Sequence, residues 1–176
     1  MPIPSEIFSK VPANPGLYCL LEKKEVVYVG ISKDLRSRLK QHFVLRDSSI
    51  TTGTSAASLN PEYIETIKWW THEDFKTKAK LQAAELVAFE TFNPILRSRG
   101  KSTDKAKEQL TPTFKRSMKA VFQKPPSGEL SIPNMSHLLR RIEKLEKQKY
   151  NPCLFVISNS VQYPRSSIPT TLHHRI

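Results

Sequence analysis

The sequence predicts a mixed α/β domain followed by a basic C-terminal region. Three observations carry that reading: two short apolar runs at 16–21 and 26–30, a helix-spaced set Leu35, Leu39 and Phe43 directly after them, and an apolar-periodic stretch at 75–92 that stops at Pro94. A chain of 176 residues is long enough for one core of ordinary size with material left over.

The first two runs, joined by Glu22, Lys23, Lys24 and Glu25, read as an antiparallel hairpin, because each is rich in β-branched and aromatic residues and the charged stretch between them belongs on a surface turn. Ser32 is placed to cap a helix beginning at Lys33 or Asp34 and running towards Arg46. On that helix Arg38 and His42 are one turn apart and share a face. Residues 47–60 turn to Ser, Thr, Ala and Gly, which predicts a mobile surface loop. A third strand is expected at 64–70, and a second helix at 75–92, ended by Pro94, with Glu85 in its middle.

Beyond residue 100 the chain reads as a Lys-, Thr-, Ser- and Pro-containing linker over 100–135, holding a short helix around 114–122. Ser136 is then placed to cap a helix over 137–150, apolar at Leu138, Leu139, Ile142 and Leu145 and basic on its outer face, and residues 153–158 read as a strand. The expected division is therefore 1–100 and 101–176.

The formal charge is +12, and it is unevenly placed: residues 1–100 carry 14 basic and 11 acidic side chains, residues 101–176 carry 14 and 5. Such a basic region points to a polyanionic partner, since phosphates attract it and release their counterions on binding. Neither a secretory leader nor an apolar run of membrane-spanning length is visible, and Cys19 and Cys153 lie far apart, with Cys19 in a run where a buried free thiol is expected. The expectation is a soluble protein of a reducing compartment, cytoplasmic or, in a eukaryote, nuclear, with no membrane partner.

One pattern is more specific. Gly16-Leu17-Tyr18, then Tyr28-Val29-Gly30-Ile31-Ser32, then Asp34, Leu35, Arg38 and His42, and later the helical Glu85, follow one another at spacings that resemble the GIY-YIG nuclease superfamily over roughly residues 11–97. The resemblance implies a small, mainly antiparallel three-stranded sheet flanked by helices, and a magnesium-dependent DNA endonuclease of restriction, repair or homing type. It implies one Mg²⁺ (or Mn²⁺) per active site and a double-stranded or structured DNA substrate. Two copies are expected on a symmetric target, because a single site cuts one strand at a time. The other reading is a non-catalytic nucleic-acid-binding protein with a degenerate site. It is motivated by Arg97, which stands where the family often has an Asn after the proline; here Asn93 precedes Pro94 instead. A protein–protein module using the 137–150 helix explains the apolar stripe but not the hairpin pattern.

Hydrolysing a phosphodiester requires a deprotonated water, relief of charge on the phosphoryl oxygens and stabilisation of the departing oxygen. By resemblance Glu85 is the metal ligand, since a lone carboxylate supplemented by waters suits Mg²⁺; Glu90 is its fallback. Arg38 would clamp the scissile phosphate, with Arg36 its rival and otherwise a DNA-backbone contact. Tyr18 and Tyr28 are the candidate acid–base pair, Tyr18 as general base and Tyr28 orienting water or phosphate. His42 would tune a tyrosine or act as base itself. Lys33, Arg36, Lys40, Arg97, Arg140, Arg141 and Lys144 are the candidate DNA contacts.

Register supplies a test. An even, regular hairpin loop would set Tyr18 across from Val29 and send the two tyrosines to opposite faces of the sheet. A shared site requires an odd loop, expected at three residues, or a bulge that brings Tyr18 opposite Tyr28.

Overall fold

The computed structural model describes residues 3–52, 58–96, 103–133 and 135–149. Its first strands are β1 (Gly16–Glu22) and β2 (Glu25–Ser32), followed by α1 (Leu35–Lys40), which widens into a π-type turn over Gln41–Leu45. Then come β3 (Thr66–Trp70), α2 (Lys78–Phe92), α3 (Asp104–Glu108), α4 (Pro112–Gln123), β4 (Gly128–Ser131) and α5 (Met135–Lys149). The strands form one antiparallel sheet in the order β2-β1-β3-β4. Four strands are present where the sequence led to three.

The hairpin turn has two residues. Glu22 pairs with Glu25, and Lys23 and Lys24 both adopt positive φ, 47° and 72°, the backbone a tight two-residue turn needs. That even loop alone would separate the tyrosines. The register shifts, however, between Leu20 and Leu21: Leu21 pairs with Val26 but Leu20 with Tyr28, so Val27 is the extra residue of a bulge. Tyr18 consequently opposes Gly30, not Tyr28, and the two tyrosines sit diagonally on one face. The three-residue loop and the direct Tyr18–Tyr28 pairing are both corrected; the bulge and the shared face stand.

The sheet has a packed layer on each side. Tyr18, Leu20, Tyr28, Ile67 and Trp69 face Phe8, Val11, Leu35, Leu39 and Phe43, from the N-terminal segment, α1 and its π-type turn. Leu17, Cys19, Leu21, Val29 and Trp70 face Leu81, Ala84, Val87 and Ala88 of α2 and Met118 and Phe122 of α4. Alternation of side chains along β1, with a core on both sides, buries the strand almost throughout.

Local chemistry explains the element ends. Asp34, not Ser32, caps α1, its Oδ1 accepting from the Ser37 amide at 3.0 Å, while Ser32 Oγ accepts from the Asp34 amide at 3.1 Å and steadies the cap. Residues 73–76 form a separate short turn, so α2 begins later than the periodicity suggested. Asn93 ends α2 in the left-handed conformation, φ 43°.

Three elements fall in the stretch read as a linker, the first being the short α3. The helix around 114–122 is α4, longer at its N-terminus because Thr111 caps it and Pro112 starts it. The strand β4 pairs with β3 from Thr66↔Ser131 to Trp69↔Gly128. The expected helix at 137–150 appears as α5, starting at Met135 before the expected Ser136 cap. The expected strand at 153–158 lies outside the described residues.

The loop expected to be mobile over 47–60 is packed at both described ends. Ser48, Ile50 and Leu59 are buried, and the Leu59 amide donates to the Ile50 carbonyl at 2.8 Å. Residues 53–57 lie outside the description.

Candidate active site

The bulge places Tyr18 and Tyr28 under α1, whose π-type turn carries His42 down onto them. The ring centroids of Tyr18 and Tyr28 are 6.1 Å apart, and that of His42 lies 5.6 Å from Tyr18 and 6.5 Å from Tyr28. Tyr18 and His42 are both 0% exposed. The Tyr18 hydroxyl is 2.6 Å from His42 Nε2, and the Arg38 guanidinium is near enough for its charge to act on the same phenol.

Glycine at 30 is required by this arrangement. Directly opposite Tyr18, a Cβ there would meet the Tyr18 hydroxyl at 2.5 Å and the Tyr28 ring at 2.8 Å. Gly16 has a comparable constraint, a Cβ there meeting Leu35 at 2.5 Å and the Trp70 carbonyl at 2.8 Å, so its bare backbone lets α1 settle against the sheet. The motif glycines make room; the motif tyrosines fill it.

Burial dominates the electrostatics. It raises the Tyr18 phenol well above its ordinary range, Tyr28 and Glu85 add to the rise, and the Arg38 guanidinium opposes it. It pushes the His42 imidazole down to about 3, with the nearby Arg38 charge in the same direction. It pushes the Glu85 carboxyl up to about 7. At neutral pH the resting site therefore holds a neutral phenol beside a neutral imidazole, under one fixed cation.

Glu85 is half-buried on α2, which packs along β2, and its charge is felt at Tyr18. Among the described residues no group of three or more His, Cys, Asp or Glu side chains is arranged to hold a metal. The donor set is one lone carboxylate whose burial is uncompensated. That matches an ion that keeps most of its hydration shell, such as Mg²⁺, better than one needing a cage of protein ligands. Glu90 is unsuited to the role: it is exposed and pairs with Lys115 at 3.3 Å and Lys119 at 3.8 Å, tying α2 to α4.

The structure thus brings Tyr18, Tyr28, Arg38, His42 and Glu85 into one region. The expected DNA contacts fare differently. Arg36 points to the N-terminal segment, donating through Nε to the Val11 carbonyl at 2.8 Å and through Nη2 to that of Ser9 at 3.2 Å. That guanidinium ties α1 to the N-terminal segment. Lys33 is exposed and Lys40 half-buried on the α1 side. Arg141 and Lys144 are exposed on α5, Arg140 lies on the same helix with its side chain outside the description, and Arg97 lies outside it altogether.

Sequence reasoning missed Ser48. It is 4% exposed, and its Oγ lies 2.6 Å from His42 Nδ1 and 2.8 Å from Thr51 Oγ1. The available signal was a serine six positions beyond the histidine, which a Ser- and Thr-rich stretch conceals.

A family profile described as the GIY-YIG catalytic domain matches residues 14–101, from the turn before β1 past the end of α2. The chain belongs to the GIY-YIG family. Its members are nucleases, and the matched span holds all five residues gathered at the site. UvrABC system protein C of Protochlamydia amoebophila (strain UWE25) is 47% identical over 58 residues, covering 32% of this chain and 9% of that protein. The likeness thus concerns a small part of a much longer relative. Within the described residues of this GIY-YIG protein, no helix is long and apolar enough to cross a membrane.

Proposed function

We propose that the chain is a Mg²⁺-dependent DNA endonuclease, Mn²⁺ being the natural substitute, which hydrolyses phosphodiester bonds in double-stranded or structured DNA. The observation that carries the reading is the short Tyr18–His42 hydrogen bond, made by a phenol on which the charges of Arg38 and Glu85 both act.

A buried phenol held well above its ordinary pKa is a poor base by itself. Placed between water and imidazole it need never become a free phenolate. As the attacking water yields a proton to the Tyr18 oxygen, the Tyr18 hydrogen passes to His42 Nε2, and the O–P bond forms as the bond to the leaving oxygen breaks. Tyr18 is neutral before and after, and His42, whose burial favours the neutral ring, passes the proton on through solvent to the departing oxygen, so no charge stays on the imidazole. Arg38, half-buried and bonded to Gln41 Oε1 at 3.3 Å, is placed to neutralise a phosphoryl oxygen. Tyr28 borders the same space and orients water or phosphate. Glu85 would hold the metal, which supplies charge stabilisation at the leaving oxygen. Lys33 and Lys40 flank α1 as backbone contacts, and the basic C-terminal region, including Arg141 and Lys144, adds affinity for DNA.

Incubating supercoiled plasmid with the purified chain and Mg²⁺ tests this reading. Nicking or linearisation that disappears in EDTA and in Glu85→Gln is the expected result. Cutting that survives both would remove Glu85 from the metal, and DNA binding without cutting of any substrate would favour a binding module.

A further inference from the structure

We infer that Ser48 and Thr51 are positioning residues that set the tautomer of His42, keeping Nδ1 protonated and Nε2 free to receive the Tyr18 hydrogen. The inference rests on the proposed reaction only for its consequence, since the tautomer follows from hydrogen-bond arithmetic.

Each hydroxyl has one hydrogen, a guanidinium only donates and a carbonyl oxygen only accepts. The direction is set at the far end of the chain. Thr51 Oγ1 gives its one hydrogen to the Ser48 carbonyl at 2.9 Å, an atom that cannot donate back. Ser48 Oγ, 2.8 Å from Thr51 Oγ1, therefore gives its own hydrogen there, and must accept from His42 Nδ1 at 2.6 Å. In a neutral ring Nε2 is then bare, and the Tyr18 hydroxyl 2.6 Å away donates to it.

The fold makes this chain rigid. His42 and Ser48 are buried, and the Thr51 and Thr52 amides close a turn on the Ser48 carbonyl at 3.0 and 2.9 Å. Two ring nitrogens of similar intrinsic basicity would otherwise share the proton. In the wrong tautomer His42 would present N–H to Tyr18 and could not take its hydrogen, so that cleavage would lose its proton acceptor while the site kept its shape.

The test uses the full-length chain with ¹⁵N-labelled histidine and its cleavage of plasmid with Mg²⁺. The wild type should show one buried imidazole with protonated Nδ1 and bare Nε2. Ser48→Ala should shift that signal towards a tautomer mixture and lower kcat about ten- to hundredfold, with KM for DNA little changed. Ser48→Thr, which keeps the hydroxyl, should restore both. Thr51→Val, which removes only the second link, should give a smaller shift in the same direction and serves if Ser48→Ala folds poorly. A wild-type spectrum with bare Nδ1, or a folded Ser48→Ala or Thr51→Val whose tautomer does not move, overturns the assignment even in an active nuclease. A chain with the expected tautomer that cuts no DNA counts against the endonuclease reading alone.

Discussion

The two faces of the sheet are built from the same strands and have opposite chemistry. On one, Tyr18 and Tyr28 meet His42, Arg38 and Ser48 in a buried hydrogen-bonded cluster. On the other, Leu17, Cys19 and Val29, the neighbours in sequence, meet alanines, leucine and valine of α2, and the Cys19 thiol is held protonated by burial. The separation depends on Val27. Were Val27 paired in a regular ladder instead of bulged out, Tyr28 would oppose Cys19 and join Val29's present side of the sheet, and the polar cluster would lose a member while the apolar layer gained an unpartnered phenol. The contrast teaches that function here resides in a register, with a rigid apolar layer behind it.

Substitutions on the two faces should accordingly separate activity from stability. The largest effect is expected from Glu85→Gln or from chelating the metal, either of which should bring plasmid cutting to background. Tyr18→Phe follows, lowering kcat by about 10²- to 10⁴-fold as the relay to His42 is broken. A Tyr18→Phe variant that cuts like the wild type would dissolve the distinction between the faces. On the opposite face Leu81→Ala should lower unfolding free energy by about 2–5 kcal/mol, read from denaturant midpoints, with cleavage per folded molecule unchanged.

Acid–base behaviour sharpens the comparison because Glu85 and His42 shift in opposite directions. Glu85 has a raised carboxyl, so without metal its contribution to stability is present below its ordinary value of 4.5 and lost as pH rises through about 7. His42 has a depressed imidazole, so its contribution is present above 6.5 and lost as pH falls towards 3. Thermal melts in EDTA should show the loss on the alkaline side shrinking in Glu85→Gln. A slope unchanged by that substitution would place the carboxyl in water. The smallest effect is expected at the hairpin tip, where Lys24→Gly should relieve the positive φ and stabilise by about 1 kcal/mol without touching either face.

What the sequence disclosed and what it hid have physical causes. The hairpin, α1 with Arg38 and His42, and α2 with Glu85 were legible because periodicity and spacing are local properties. The turn was misread because Lys23 and Lys24 carry none of the Gly or Asn that usually marks positive φ. The strand β4 was hidden because its pairing with β3 is long-range and its flanks, rich in Pro, Ser and Gly, resemble a linker. Arg36 looked like any exposed helix arginine, since its acceptors at Ser9 and Val11 lie far back in the chain. Ser48 and Thr51 gain meaning only once His42 is seen turned inward.

The short segment after α2 has a mechanical consequence. The Ile95 and Leu96 amides donate to the Val26 and Val27 carbonyls at 3.2 and 2.8 Å, and Leu96 bridges to Tyr28. The helix bearing Glu85 is thereby stitched to the outer rim of the very strand that bears Tyr28, across the bulge. Carboxylate and phenol share one mount, so a distortion arriving from bound DNA would carry them together and leave the gap between them nearly constant. The same stitch occupies the rim that another polypeptide would need in order to add a strand there.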